Sequence, residues 1–365
     1  MKTWISFLQE AAARGETAVV ITVASSKGSV PREAGTKMVV TAGAVHGTIG
    51  GGHLEFKAID IARSTIAADG PRALHRFPLG ATLGQCCGGV VNLLFEPVPA
   101  GAAWVEALAA RVASGKHCIV ASPVSGDVRE GKIILDVVGG ECEVAGGSLG
   151  QPDQVRDAVA IAQAMLDEDR PATIKTLAAT AATPAQTYFF DSVRDPDFRI
   201  VLFGAGHVGR ALVKLMSDID CRITWVDSRE AEFPRDVPAN VEPICTDAPE
   251  SELGATAPGS YFLVMTHSHA LDQSLSQLIL QRADFGYFGL IGSHSKRRQF
   301  ERRLLDRGIL EAQLTRMTCP IGAAGIASKE PAAIAIAVAA ELLQVRGRSK
   351  GQLPFLNPAS SSTAR

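Results

Sequence analysis

The sequence predicts an α/β protein in two parts, a mixed α/β domain followed by a domain built on a parallel sheet. Three observations carry this. The chain has 365 residues, and one core usually serves roughly 100–200. From about residue 198 onward, short apolar runs alternate with helical stretches, the rhythm of a parallel sheet. Before that point, strands follow one another closely, parted by glycine-rich turns and a few helices.

Each element has a local reason. Trp4, Phe7, Leu8 and Ala11 fall at helical spacing. Residues 17–24 are β-branched and continuous, as in a buried strand. Residues 25–35 are a loop full of breakers, and 36–41 and 45–49 read as strands about a turn at Gly43. Gly50, Gly51 and Gly52 open a helix to about residue 67. Strands are expected at 73–77, 90–95, 117–121, 132–138, 173–177 and 186–190, with helices at 104–113 and 154–166. In the second part, strands at 199–203, 222–226, 261–265 and 287–291 alternate with helices, and 331–343 reads as a buried helix. The polar stretch 191–197 sets the boundary, giving domains 1–195 and 196–346. Residues 347–365, rich in Ser, Pro and basic groups, are expected to be a disordered tail. No internal repeat is visible in the sequence.

Composition excludes several classes. Apolar residues make up 46% and charged residues 20%, and the net charge is −2, so the strong basic excess of a nucleic-acid binder is missing. The N-terminus carries Glu10 and lacks a continuous apolar core, so it does not read as a signal peptide. No run reaches the ~18 apolar residues of a membrane span. Seven scattered cysteines, an odd number, argue against a disulfide framework and for a reducing cytoplasm.

Gly204-x-Gly206-x-x-Gly209 follows an expected strand and opens a helix, and Asp227 ends the next strand. This is the dinucleotide-binding arrangement, so the second domain is Rossmann-like. Gly204 makes the turn, Gly206 admits a pyrophosphate, Gly209 lets helix and strand pack, and Asp227 would accept from a ribose hydroxyl. A nucleotide is therefore one expected ligand, although the fold also serves other ends. His267 and His269, with Asp272 nearby, stand at another strand end. They suit helix capping and pocket hydrogen bonds better than a metal, since no third ligand has convincing spacing. Ser293, Ser295, Lys296, Arg297 and Arg298 would hold a phosphate or form a solvated helix face. Cys319 reads as structural.

The first domain holds the more unusual chemistry. Gly84-Gln85-Cys86-Cys87-Gly88-Gly89 sets two thiols in a glycine-rich turn. Cys86 and Cys87 could meet a metal, sulfur or an electrophile, or simply be buried thiols, and the spacing is wrong for a zinc clip. Arg32 and Lys37, around the loop Gly28-Ser29-Val30-Pro31-Arg32-Glu33-Ala34-Gly35, could hold a phosphate. Gly50, Gly51 and Gly52 would offer backbone N–H groups at a helix start.

The motifs GSVPREAGTKMVV, GTIGGGHLE, LGQCCGG, LFGAGHVG, VMTHSHALD, GLIGSHSKR and CPIG occur in this order. Together they resemble the XdhC family, the accessory proteins of xanthine dehydrogenase, related to CoxI-type maturation proteins. The resemblance runs from about residue 17 to 345. It implies a chaperone without turnover of its own that binds the molybdenum cofactor (molybdopterin). The cofactor would be protected during sulfuration and inserted into apo xanthine dehydrogenase. It also implies a cysteine desulfurase and molybdenum cofactor biosynthesis proteins as partners. On that basis Cys86 or Cys87 would touch molybdenum, with Gln85 beside them, since soft sulfur ligands suit such centres. The alternative is an NAD(P)-dependent oxidoreductase, with His267 or His269 as the acid. A homodimer is the default assembly.

Overall fold

The computed structural model describes residues 4–80, 88–126, 131–149, 152–179, 184–194, 196–282, 284–326 and 328–349. It divides into two compact units, residues 2–195 and residues from 196 onward.

The first unit opens with α1 (Trp4–Ala13), whose Ile5, Leu8 and Ala11 form one buried face. Then come β1 (Ala18–Lys27), β2 (Lys37–Val40), β3 (Val45–Gly47), α2 (Gly52–Ala67), β4 (Ala73–Pro78) and β5 (Val90–Val98). The strands make an antiparallel sheet of order β3-β2-β1-β5-β4. The series then repeats as α3 (Ala103–Ala113), β6 (Cys118–Pro123), β7 (Ile133–Val138), β8 (Glu141–Gly147), α4 (Pro152–Asp167), β9 (Ala172–Leu177) and β10 (Gln186–Val193). The second sheet has order β8-β7-β6-β10-β9, again antiparallel. The unit is therefore a structural duplication, which corrects the expectation of no internal repeat.

Counterparts confirm the duplication residue by residue. Trp4 and Trp104 open the two halves. Gly47-Thr48-Ile49 and Gly147-Ser148-Leu149 end the third strand of each. Leu54, Ala58 and Ala62 on α2 match Gln154, Ala158 and Ala162 on α4, and all six are buried. The alanines let each helix lie close on its sheet, in cores built from alternate strand residues such as Val19 and Ile21 or Ile119 and Ala121. After each helix an aspartate takes positive φ, Asp69 at 46° and Asp169 at 47°.

The two halves meet through the opposite faces of their sheets. Ala24, Leu94, Val124 and Phe189 form one apolar contact, and the rings of Trp4 and Trp104 lie 6.4 Å apart. Between them sits a charged cluster. Lys37 Nζ lies 2.6 Å from Asp191 Oδ2, Lys132 Nζ lies 2.8 Å from Glu96 Oε1, and Arg72 lies 3.0 Å from the same Glu96 oxygen. Lys37 stands over the Trp4 ring at 5.2 Å and Lys132 over the Trp104 ring at 3.5 Å. Lys37, Asp191, Lys132 and Glu96 line a cavity of about 20 Å³, room for a single water.

The second unit runs β11 (Arg199–Phe203), α5 (His207–Met216), β12 (Arg222–Asp227), β13 (Val241–Cys245), β14 (Tyr261–Val264), α6 (His269–Gln281), β15 (Tyr287–Leu290), α7 (His294–Asp306), α8 (Glu311–Leu314), β16 (Met317–Thr318) and α9 (Pro331–Ser349). Its six strands are parallel, in the order β13-β12-β11-β14-β15-β16. One face packs on residues of α5 and α9, the other on α6 and α7. The strand order reverses between β11 and β14, where open sheets of this kind place their ligand crevice. Of the expected tail, residues 347–349 continue α9, and residues 350–365 lie outside the described residues.

Three strands were not expected from the sequence: β8, β13 and β16. β8 is largely exposed and ends in Gly146-Gly147, β13 is an exposed edge carrying Pro243, and β16 has two residues. Among the described residues no helix is long and apolar enough to cross a membrane, and the five described cysteines are all unpaired.

Candidate functional site

In the first half of the first unit, the turn between β3 and α2 is held by two side chains, Glu55 and Thr48. The Glu55 carboxylate accepts from the Thr48 hydroxyl and from the backbone N–H groups of Ile49 and Gly51, the latter two each 3.0 Å away. Gly50 N–H donates to Thr48 Oγ1 at 3.1 Å. Two of the three glycine N–H groups expected to bind an anion are thus satisfied within the turn. Gly52 remains, at the first turn of α2, where no side chain caps the helix.

The 28–35 loop is gripped between this turn and the chain that leaves the cysteine segment. Gly50 has φ +123°, and a Cβ there would come within 2.5 Å of Pro31. A Cβ on Gly89 would come within 2.4 Å of the Ser29 carbonyl oxygen, and one on Gly28 within 3.2 Å of Gly89 Cα. These glycines exist because backbone runs against backbone. Arg32 is exposed, with its Cγ 3.6 Å from the Cβ that Gly50 lacks. Three motifs, GSVPREAG, GTIGGG and the glycines after Cys87, therefore converge. Gln85, Cys86 and Cys87 themselves lie outside the described residues.

Lys37 departs from the expectation. Strand alternation turns it inward with Val39, toward α1. Only about a tenth of its side chain is exposed, and its ammonium donates hydrogen bonds to Asp191 and to the Gly35 carbonyl. It braces the loop and is not a surface phosphate ligand. The two bridges differ electrically. Burial pushes Asp191 above the usual carboxylate range, against the pull of Lys37 and, more weakly, of Lys132. Burial acts on Glu96 too, but Lys132 and Arg72 together hold it below that range.

In the second unit the glycine motif divides its labour. Gly204, at φ +119°, passes so close to the Met265 carbonyl that a Cβ would meet it at 2.3 Å. Gly209 brings α5 against Gly204 O, and Gly206 faces open space. Trp225 fills the floor, its indole N–H donating to Gly204 O at 3.0 Å. Asp227, the expected ribose acceptor, is already engaged. Its Oδ2 accepts from Ala205 N–H at 2.6 Å and from Arg229 at 2.9 Å, and its Oδ1 accepts from the Arg229 backbone and Nε. Burial works to raise its pKa, but the bonds from Arg229 and Ala205 win and hold it down at about 2. A ribose hydroxyl would have to displace Arg229.

The neighbouring strand ends are braced in the same way. Asp272, fully buried, accepts from Thr266 N–H and Oγ1 and from Lys296 Nζ at 2.6 Å. Lys296 also donates to Ile291 O, while Arg297 donates to Cys319 O and pairs with Glu301. Of the residues considered for metal or phosphate, Asp272, Lys296 and Arg297 thus tie the ends of β14, β15 and β16 together. Ser268 and Ser293 cap α6 and α7. His267 and His269 are exposed, and no group of three metal-ligating residues occurs among the described residues.

Sequence reading missed Glu55, Asp191 and Arg229. Glu55 stands within GTIGGGHLE and Arg229 two residues after Asp227, so both had a local signal. Asp191 had none, lying 154 residues from Lys37.

Fold and sites together define a two-unit protein, a duplicated α/β unit with a braced glycine turn followed by a Rossmann domain. Residues 11–78 match the XdhC and CoxI family, and residues 200–342 match the XdhC Rossmann domain. The chain belongs to the XdhC and CoxI family. It is 31% identical over 179 residues to the uncharacterized protein YqeB of Escherichia coli, covering 47% of this chain and 32% of that one. It is 26% identical over 183 residues to a probable xanthine dehydrogenase subunit of Bacillus subtilis, covering 50% and 52%. The chain thus spans about a third and about half of the lengths of these curated relatives. A crystal structure of a xanthine dehydrogenase from Bacillus halodurans shares the fold, with TM-score 0.67 at 22% identity over 96% of this chain and 98% of that one.

This geometry can be tested at a glycine and at a carboxylate. Gly50→Ala should cost roughly 1–3 kcal/mol, because strained φ and contact with Pro31 add. Gly254→Ala, which meets nothing within 4 Å, should stay within about 0.5 kcal/mol of wild type. Urea unfolding compares them, and equal midpoints would contradict the packing account. For Asp227, a lowered folded pKa means its stabilisation is complete above the unfolded value near 3.9 and fades as pH falls toward about 2. Asp227→Asn should therefore be less stable by roughly 2 kcal/mol at neutral pH, with the deficit shrinking below about pH 4. Unfolding followed by Trp fluorescence across that range checks this, and a pH-independent deficit would count against it.

Proposed function

We propose that the protein binds the molybdenum cofactor and serves a xanthine dehydrogenase as an accessory protein. In this reading it shields the cofactor during sulfuration and delivers it to the apo enzyme without turnover of its own. The observation that carries this is the convergence of the 28–35 loop, the Glu55-braced turn and Gly88-Gly89 on one edge of the first half. Membership of the XdhC and CoxI family supports it, as do the names of the Bacillus relatives.

The residues fit the cargo. Molybdopterin presents a phosphate, a pterin edge and a dithiolene-bound metal. Arg32, exposed beside the turn, suits the phosphate, and the N–H of Gly52 adds a second donor. Cys86 or Cys87 offers a soft thiolate to the molybdenum, with Gln85 beside it for the pterin. Lys37 acts from beneath, by fixing the end of the loop. A cysteine desulfurase supplies the terminal sulfur, the biosynthetic proteins hand over the cofactor, and a homodimer in the cytoplasm is the working assembly.

The oxidoreductase alternative leans on the Rossmann glycines, but Arg229 fills the acceptor that a dinucleotide ribose would use. The test is anaerobic incubation of the purified protein with molybdenum cofactor, then gel filtration with molybdenum and pterin measured in the protein peak. Near-stoichiometric retention is expected, falling at least tenfold in Cys86→Ala or Cys87→Ala. No retention by wild type, together with tight NAD(P) binding reported by Trp225, would overturn the reading.

A further inference from the structure

The duplicated unit exchanges two buried bridges, and they are not equivalent in what they hold. Lys132–Glu96 anchors the second half on the first, and Lys37–Asp191 anchors the first on the second. The Glu55-braced turn and the thiol segment belong to the first half. The counterpart of Glu55 is Val155, and the counterpart of the thiol segment, residues 178–185, contains neither cysteine nor glycine. Asp191 reaches the end of the 28–35 loop at two points. It holds Lys37, which donates in turn to Gly35 O at 3.0 Å, and its Oδ1 lies 3.7 Å from where a Cβ on Gly35 would stand. Gly35 N–H also donates to Val23 O at 2.8 Å, so the loop closes on β1 at the residue Asp191 backs.

We propose that Asp191, from the second half, is a positioning residue for the ligand loop of the first half, acting through Lys37 and Gly35. This rests on the reading of that loop as part of a cofactor site. The degenerate half is then retained for the carboxylate it projects across the interface. A bridge that served stability alone would affect the fold no differently from its twin, and the twin supplies the control. Both bridges are buried, so breaking either leaves a lysine short of its partner and costs stability. Only the loss of Asp191 should reach the loop.

The experiment compares full-length Asp191→Asn, Asp191→Glu and Glu96→Gln. Two quantities are read: amide exchange of residues 29–36 without ligand, and molybdenum cofactor retention. Asp191→Asn should speed exchange in that segment at least tenfold and cut retention at least tenfold. Asp191→Glu, which keeps the charge, should recover most of both. Glu96→Gln should lower the melting temperature but leave both near wild type. If Asp191→Asn does not fold, Lys37→Met takes its place. Unchanged exchange at 29–36 in the Asp191 variant, or equal effects from Glu96→Gln, would overturn the proposal. Failure of wild type to retain cofactor would instead sink the underlying reading, since the exchange comparison stands without ligand.

Discussion

Each half of the first unit satisfies its buried lysine with a carboxylate from the other half. A lysine left unpaired in this interior would cost several kcal/mol, so neither half closes well alone. The constraint explains why the duplication persists although the halves have drifted apart in sequence. It also explains the paired tryptophans, whose rings cover the two ammonium groups from the α1 and α3 side. The interface is thus a fixed frame, against which one half could diverge into a site while the other kept the frame.

The same device recurs in the Rossmann unit, where carboxylates face inward to brace loops. Asp227 closes the glycine loop on Ala205 and Arg229, and Asp272 joins two strand ends through Lys296. Glu341, set in the apolar helix α9, accepts from Tyr287 and from Gly322 N–H, and so fixes the turn after Cys319. Charges in motifs of this fold need not face a ligand. Here each of the three holds backbone that carries no regular structure, and the open position in the glycine loop is Gly206.

Much of this was legible from residues alone. The glycines of the Rossmann motif were readable because each answers a close backbone approach, at Met265 for Gly204 and at Gly204 for Gly209. The helices α2 and α4 were readable from their spacing of small and apolar residues. The duplication was not, because it survives in topology and in scattered pairs such as Ala58 and Ala158, not in a continuous run of identity. The inward turn of Lys37 is hidden from the sequence for a related reason. A lysine after a polar loop reads as solvated, and the carboxylate that draws it inward is remote in sequence. Asp227 was placed correctly at a strand end, but its partner two residues on changes what it can accept.

The proposed function places the cofactor at the braced edge of the first half, and not at the Rossmann glycine loop. An anaerobic crystal structure of the protein with molybdopterin bound tests it most directly. The account predicts the cofactor phosphate within hydrogen-bond distance of Arg32 or Gly52 N–H. Phosphate density over Gly206 and His207, with the 28–35 loop bare, would contradict it.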